Sequence, residues 1–296
     1  MKISVDKKSK TMNTIYSKCL LILIVVLTGS CNINQGQKSA KQVVIENKYP
    51  TIGVALYSFN RFPFFETLTK TQEVGVTTIE GFFFHKLGDD FDNKTMLELT
   101  DAELLKLKSA IAKQGLKMPS IYAGGNSELE WRRFFKIADH LDLEFMTCEP
   151  EPEYWDLLNE LGAEKGIKIA IHEHAKGKSR FWHPDSVLVA LEGRSQFGVC
   201  ADLGHWVRSG LDPVDCLKKL EGHIIAVHAK DLDEFGKIDA NDVKISDGVI
   251  DYPVVLQELK RQNFDGPIYI ECEHDWEDNL KDVKYGVDYI EKLIKS

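Results

Sequence analysis

Five apolar stretches of this chain each run into an ionisable side chain. Val199-Cys200-Ala201 meets Asp202, Ile225-Ala226-Val227 meets His228, and Tyr269-Ile270 meets Glu271. Met146-Thr147-Cys148 meets Glu149, and Ile169-Ala170-Ile171 meets His172. A charge at the tip of a buried strand is costly unless it is paired or bound to a metal. Glu149, His172, Asp202, His228 and Glu271 are therefore the expected ligands of one cation. Mixed carboxylate and imidazole donors with room for water suit Mn2+, Co2+, Mg2+ or Zn2+. No cysteine stands among them, which argues against a structural zinc site. His172-Glu173 does not open a metalloprotease helix motif, because Lys176 occupies the place of the second histidine.

The chemistry such a site performs is proton abstraction beside a carbonyl. A divalent cation chelating a carbonyl and the adjacent hydroxyl acidifies the C–H between them and stabilises the enediolate. The expected base is Glu271, His174 or His205. Lys230 either steadies an oxyanion or sugar hydroxyl, or is held in a buried salt bridge with Asp231 or Glu273. Reprotonation gives isomerisation or epimerisation, whereas loss of a β-oxygen substituent gives elimination. Tyr57, Phe59, Phe82, Phe83, Phe84, Trp182 and Trp206 are candidates to line a sugar pocket, although core packing accounts for most of them.

Those side chains meet only if a parallel sheet brings the strand ends together. Strand patterns fall at 52–59, 76–84, 117–122, 143–149, 167–174, 196–202, 224–228 and 267–273. Helical patterns alternate with them. Thr100 and Glu103 form a capping box, and Gly75, Gly115 and Gly166 stand as helix stops. Asp185 is the expected cap of the helix near 185–191, and Asp212-Pro213 opens another. Residues 231–248 read as a long polar loop. Eight strand–helix units predict a single-domain (β/α)8 TIM barrel over 50–296, with the strand tips converging on one pocket. No G-x-G-x-x-G follows the first strand, which disfavours a doubly wound nucleotide-binding sheet. Alternation along strand five places small Ala170 with His172 and His174 inside and turns Glu173 outward.

Ala201-Asp202-Leu203-Gly204-His205-Trp206, Val227-His228-Ala229-Lys230-Asp231 and Ile270-Glu271 resemble the sugar phosphate isomerase/epimerase group of xylose isomerase-like TIM barrels. The resemblance covers roughly 50–295. It implies that Asp202, His228 and Glu271 hold a divalent metal and that His205 faces substrate or metal. Keto-sugar epimerases of the group carry a glutamate on strand five, where this chain has His172. The His-x-His of strand five with Glu149 on strand four resembles the branch acting on oxidised sugars, which includes lyases on 3-keto-glycosides. The expected function is thus a metal-dependent isomerase or epimerase acting on a keto-sugar or oxidised glycoside. The alternatives are 3-keto-glycoside elimination and a non-catalytic sugar-binding lipoprotein.

A net charge of −9 argues against a nucleic-acid partner, and with it against an endonuclease IV-like role, because phosphate binding needs a basic face. Lys7, Lys8, Lys10 and Lys18 precede the apolar run 19–27, the pattern of a secretory signal too short to span a bilayer. Leu27-Thr28-Gly29-Ser30-Cys31 resembles a lipoprotein cleavage site. The expected organisation is a signal peptide over 1–30, lipidation at Cys31 and a flexible tether over 31–49, which anchors the protein in the periplasm by lipid alone. Neutral sugars fit that compartment better than sugar phosphates. Cys148, Cys200, Cys216 and Cys272 read as small packing residues rather than disulfide partners.

Overall fold

The computed structural model describes residues 49–296. The expected signal peptide, Cys31 and the tether up to residue 48 lie outside the described residues. Eight parallel strands close into a barrel: β1 (Thr51–Ala55), β2 (Thr78–Phe82), β3 (Lys117–Ala123), β4 (Phe145–Cys148), β5 (Lys168–His172), β6 (Phe197–Asp202), β7 (Ile224–Ala229) and β8 (Pro267–Ile270). Each pairs with its neighbours in sequence, and β8 pairs with β1. The expected (β/α)8 barrel is the observed fold.

The helices outside the barrel are α1 (Phe64–Val74), α2 (Asp101–Lys113), α3 (Glu128–Leu141), α4 (Trp155–Lys165), α5 (Pro184–Leu191), α6 (Leu203–Arg208), α7 (Pro213–Lys219), α8 (Tyr252–Arg261) and α9 (Leu280–Ile294). Their boundaries follow local chemistry. Thr100 and Glu103 make the reciprocal capping box of α2, and Gly75 ends α1 at φ 97°, where a side chain would be strained. Among the described residues no helix is long and apolar enough to cross a membrane.

Two local expectations are corrected, and one short element is added. The cap of α5 is His183, whose Nδ1 accepts from Asp185 N, so Asp185 lies inside the helix. The turn after Asp202 is the short helix α6, and the Asp202 side chain caps it by accepting from His205 N at 2.9 Å. The loop after β7 contains a two-residue antiparallel ribbon, Asp231–Leu232 against Asp242–Val243.

Side chains on the outer strand faces pack against helices. The barrel interior carries a polar layer beneath the strand tips: Glu80, Ser120, Thr147, His228 and Tyr269, all fully buried. Ser120 Oγ lies 2.9 Å from Tyr269 Oη across the lumen. This layer is the floor of the site.

Candidate active site

Register delivers the chemistry to one level. Asp202 on β6 pairs with His228 on β7, and His172 on β5 pairs with Cys200 on β6. Glu149 and Glu271 follow directly on the last residues of β4 and β8. One ligand atom each from His172, Asp202, His228 and Glu271 falls within 4.8 Å of the other three. His228 Nδ1 stands 3.0 Å from Glu271 Oε2 and 3.8 Å from Asp202 Oδ2, and His172 Nε2 stands 3.3 Å from Asp202 Oδ2. All four residues are buried.

Asp202 Oδ2, His228 Nδ1, Glu271 Oε2 and His172 Nδ1 make no well-formed hydrogen bond. Buried polar atoms rarely go without one. Three of them, on Asp202, His228 and Glu271, gather with His172 Nε2 in a carboxylate–imidazole set, which is the donor chemistry a divalent cation takes, whereas His172 Nδ1 faces Glu149 Oε1 at 3.5 Å. The residues therefore fit a metal centre. The fifth expected ligand, Glu149, joins His172 and His174 in an adjoining group instead. Its Oε1 is hydrogen-bonded to His174 Nδ1 and accepts from Tyr122 Oη at 3.1 Å.

Charge is balanced across the cluster. Burial opposes ionisation of Asp202, but His205, Lys230, His172 and His228 hold its carboxyl well below the carboxylate range. Burial opposes Glu271 too, and Lys230 and His228 keep it ionised. Against the same burial, Asp202 and Glu149 raise His172 to about 9. A cation taking this nitrogen would displace a proton. Burial drives His205 well below its ordinary value, against the pull of the Asp202 carboxylate.

Lys230 Nζ is 2.9 Å from Glu271 Oε2 and 3.2 Å from Asp202 Oδ2, and it pairs with Glu273. Of the two expected salt-bridge partners, Glu273 is correct. Asp231 instead accepts from the backbone N–H groups of Leu232, Ser246, Gly248 and Ile250 and shapes the following loop. The glycine of the Asp202-Leu203-Gly204 turn is needed because a Cβ on Gly204 would overlap the Lys230 stem.

A cavity of about 270 Å3 opens onto this cluster. Tyr57, Phe82, Phe84 and Tyr122 form its aromatic wall, opposite His174, His205, Lys230 and Glu273. Of the other aromatic candidates, Phe59 and Trp206 are fully buried core, and Phe83 packs edge-on against Phe134. Trp182 lies beside Lys176 and His183. Glu173 is buried outside the cavity, its Oε2 accepting from Asp202 N, as alternation along β5 implied. A larger cleft of about 870 Å3 sits at the opposite end of the strands, beside Thr51, Lys117, Lys168 and Pro267, away from every residue of this cluster.

Glu80 is a site residue that the sequence reading did not single out. Its Oε2 is 2.6 Å from His228 Nε2, and its Oε1 accepts from Ser120 and Thr147. The available signal was a lone carboxylate within an otherwise apolar strand.

A (β/α)8 barrel that gathers carboxylates and imidazoles at its strand tips has the architecture in which a metal site can be built at the carboxyl ends of the strands. Residues 68–293 match the family described as the xylose isomerase-like TIM barrel, and the chain belongs to that family. An inosose dehydratase of Clostridium botulinum (strain Alaska E43 / Type E3) is 31% identical over 144 residues, covering 42% of this chain and 48% of the relative. The chain thus spans about half the length of the curated relatives it matches. A solved structure of an uncharacterised protein from Parabacteroides distasonis ATCC 8503 is 32% identical, with a TM-score of 0.66, and the match covers 82% of this chain and 98% of that one. The structure described as the IOLI protein with a binding zinc atom shares the fold at 17% identity, with a TM-score of 0.69 over 82% of this chain and 99% of that one.

Proposed function

We propose that the protein is a divalent-cation-dependent enzyme that takes the proton beside the carbonyl of a keto-sugar or oxidised glycoside and expels the β-oxygen substituent. The observation that carries this reading is the buried carboxylate–imidazole set of His172, Asp202, His228 and Glu271, gathered at the base of an aromatic-walled cavity. The dehydratase names of the curated relatives support elimination, since dehydration is loss of a β-hydroxyl.

Bound by those four residues, the cation would supply Lewis acidity to the substrate carbonyl. His174, oriented by Glu149, removes the proton from the neighbouring carbon. The C–H electron pair becomes a C=C bond as the β C–O bond breaks. The proton carried on His174 leaves with the departing oxygen as water or an alcohol. Lys230 stays charged despite its burial, because Asp202, Glu271 and Glu273 surround it, and it steadies the developing oxyanion. Epimerisation needs a second proton donor on the opposite face of the carbon. His172, at the position that would supply it, is drawn into the donor cluster, which favours elimination.

The test is NMR of the Mn2+-loaded protein with a 3-keto-glucoside in D2O. Release of the aglycone, lost in His174→Ala, is the expected outcome. Deuterium entering beside the ketone without release would replace elimination by epimerisation or isomerisation. Binding with neither change would make the protein a sugar-binding lipoprotein.

A further inference from the structure

The cavity over the cluster, about 270 Å3, is slightly smaller than the ~300–1,000 Å3 typical of pockets that hold a whole organic ligand. Its aromatic wall continues beyond it. Tyr57 meets Trp276 edge-on, with ring centroids 5.7 Å apart at 90°. Past Trp276 lies a second cleft of about 760 Å3, lined by Arg61, Asp275, Trp276, Glu277 and Asp278. On the other side of Tyr57, Phe84 remains 44% exposed, a large apolar face left open at the mouth.

The two clefts share a braced wall. Ser58, next to Tyr57, accepts from Cys272 N at 2.9 Å through its hydroxyl, and its carbonyl accepts from Asn279 Nδ2 at 2.6 Å. His274 Nε2 lies 3.2 Å from Asp282 Oδ2 in the segment that carries Trp276. These bonds tie the segment bearing Tyr57 and Arg61 to the segment bearing Trp276. The half-buried Trp276 indole has the Arg61 guanidinium over its ring, 5.7 Å from the centroid, and together with the neighbouring carboxylates they offer an apolar surface with donors and acceptors. That combination suits a neutral ring carrying hydroxyls. Three carboxylates at the rim repel phosphate and so select against phosphorylated sugars.

We propose that Trp276 and Arg61 form a second sugar subsite, so that the substrate is a disaccharide or a glycoside with a ring-sized aglycone. This rests on the keto-sugar reading of the inner cavity, and the experiment separates the two. Calorimetry on the Mn2+-loaded full chain compares cellobiose with methyl β-glucoside, neither of which carries the ketone needed for reaction. Aglycone release is followed in parallel for the same two glycosides oxidised at C3. The expected result is at least tenfold tighter binding of cellobiose. Trp276→Ala should remove that preference without changing methyl glucoside binding, and Trp276→Phe should keep most of it. Unchanged melting of both variants confirms that they fold. Equal binding of the two glycosides by the native protein, or equal weakening by Trp276→Ala, would overturn the subsite even if aglycone release persisted. Trp276-dependent cellobiose binding without release from either oxidised glycoside would keep the subsite and remove the elimination. Failure of both glycosides to bind and to react would overturn both.

Discussion

The His228 ring offers only one nitrogen to the cluster, because Glu80 holds the other. With a proton held on Nε2 toward Glu80, Nδ1 is the nitrogen that faces Asp202 and Glu271 and would exchange its own proton for a cation. Glu80 is fixed in turn by Ser120 and Thr147. Glu80→Gln keeps the shape but weakens the acceptor, and should lower Mn2+ affinity by about tenfold, measured by calorimetric titration. Unchanged affinity would show that the Glu80–His228 contact does not tune the site. Asp202, His228 and Glu271 were legible in the sequence because each ends an apolar run, and the structure brings them together. Glu80 was not, because a residue that acts by holding another carries no spacing of its own. Asp231 was misread as an ion-pair partner because its four bonds go to backbone N–H groups, which any residue presents.

At the scale of elements, caps and glycine stops wrote most helix boundaries into the sequence, as Thr100, Gly75 and Asp212 illustrate. Helix α6 escaped because its six residues are too few to show a helical period. Asp202, already read as a strand tip, serves as its cap as well. The attachment of α8 yields a prediction that no periodicity carries. Glu258, nearly buried, accepts two bonds from Arg261 and one from Gln262, while Arg261 also reaches Glu221. The Arg261 side chain bonded to Glu258 brings its carboxyl from 4.5 down to about 2. A carboxyl depressed on folding stabilises the native state above its unfolded pKa and loses that contribution as pH falls through the folded one. Glu258→Gln should therefore cost about 1 kcal/mol or less at pH 7, since Arg261 is half exposed and screened by solvent. The difference from the native protein should vanish between pH 4.5 and 2. Urea denaturation across that range checks it; a gap that persists at pH 2 would place the effect in packing rather than charge.

For the molecule as a whole, eight strand–helix units made the barrel legible, because repetition of one unit survives errors at any single boundary. The chain before residue 49 supports a separate prediction: if Cys31 carries lipid, Cys31→Ser should move the protein from the membrane fraction to the soluble periplasmic fraction, read by immunoblot. The cation should also be coupled to folding, since four strands contribute donors that are adjacent only in the closed barrel. A ligand bound only by the native state at 100 times its Kd stabilises it by about 2.7 kcal/mol. For a domain of this size each kcal/mol moves the melting temperature by about 2–4 °C, so Mn2+ should raise it by roughly 5–10 °C over chelated protein. The shift should disappear in Asp202→Ala and in His228→Ala. Asp202→Ala leaves Lys230 with Glu271 and Glu273 as its partners but removes the α6 cap, so its melting in chelator sets the baseline against which its Mn2+ shift is read. Identical melting of chelated and Mn2+-loaded native protein would mean that the cluster holds its charges for Lys230 alone, and the metal-dependent reading would fall.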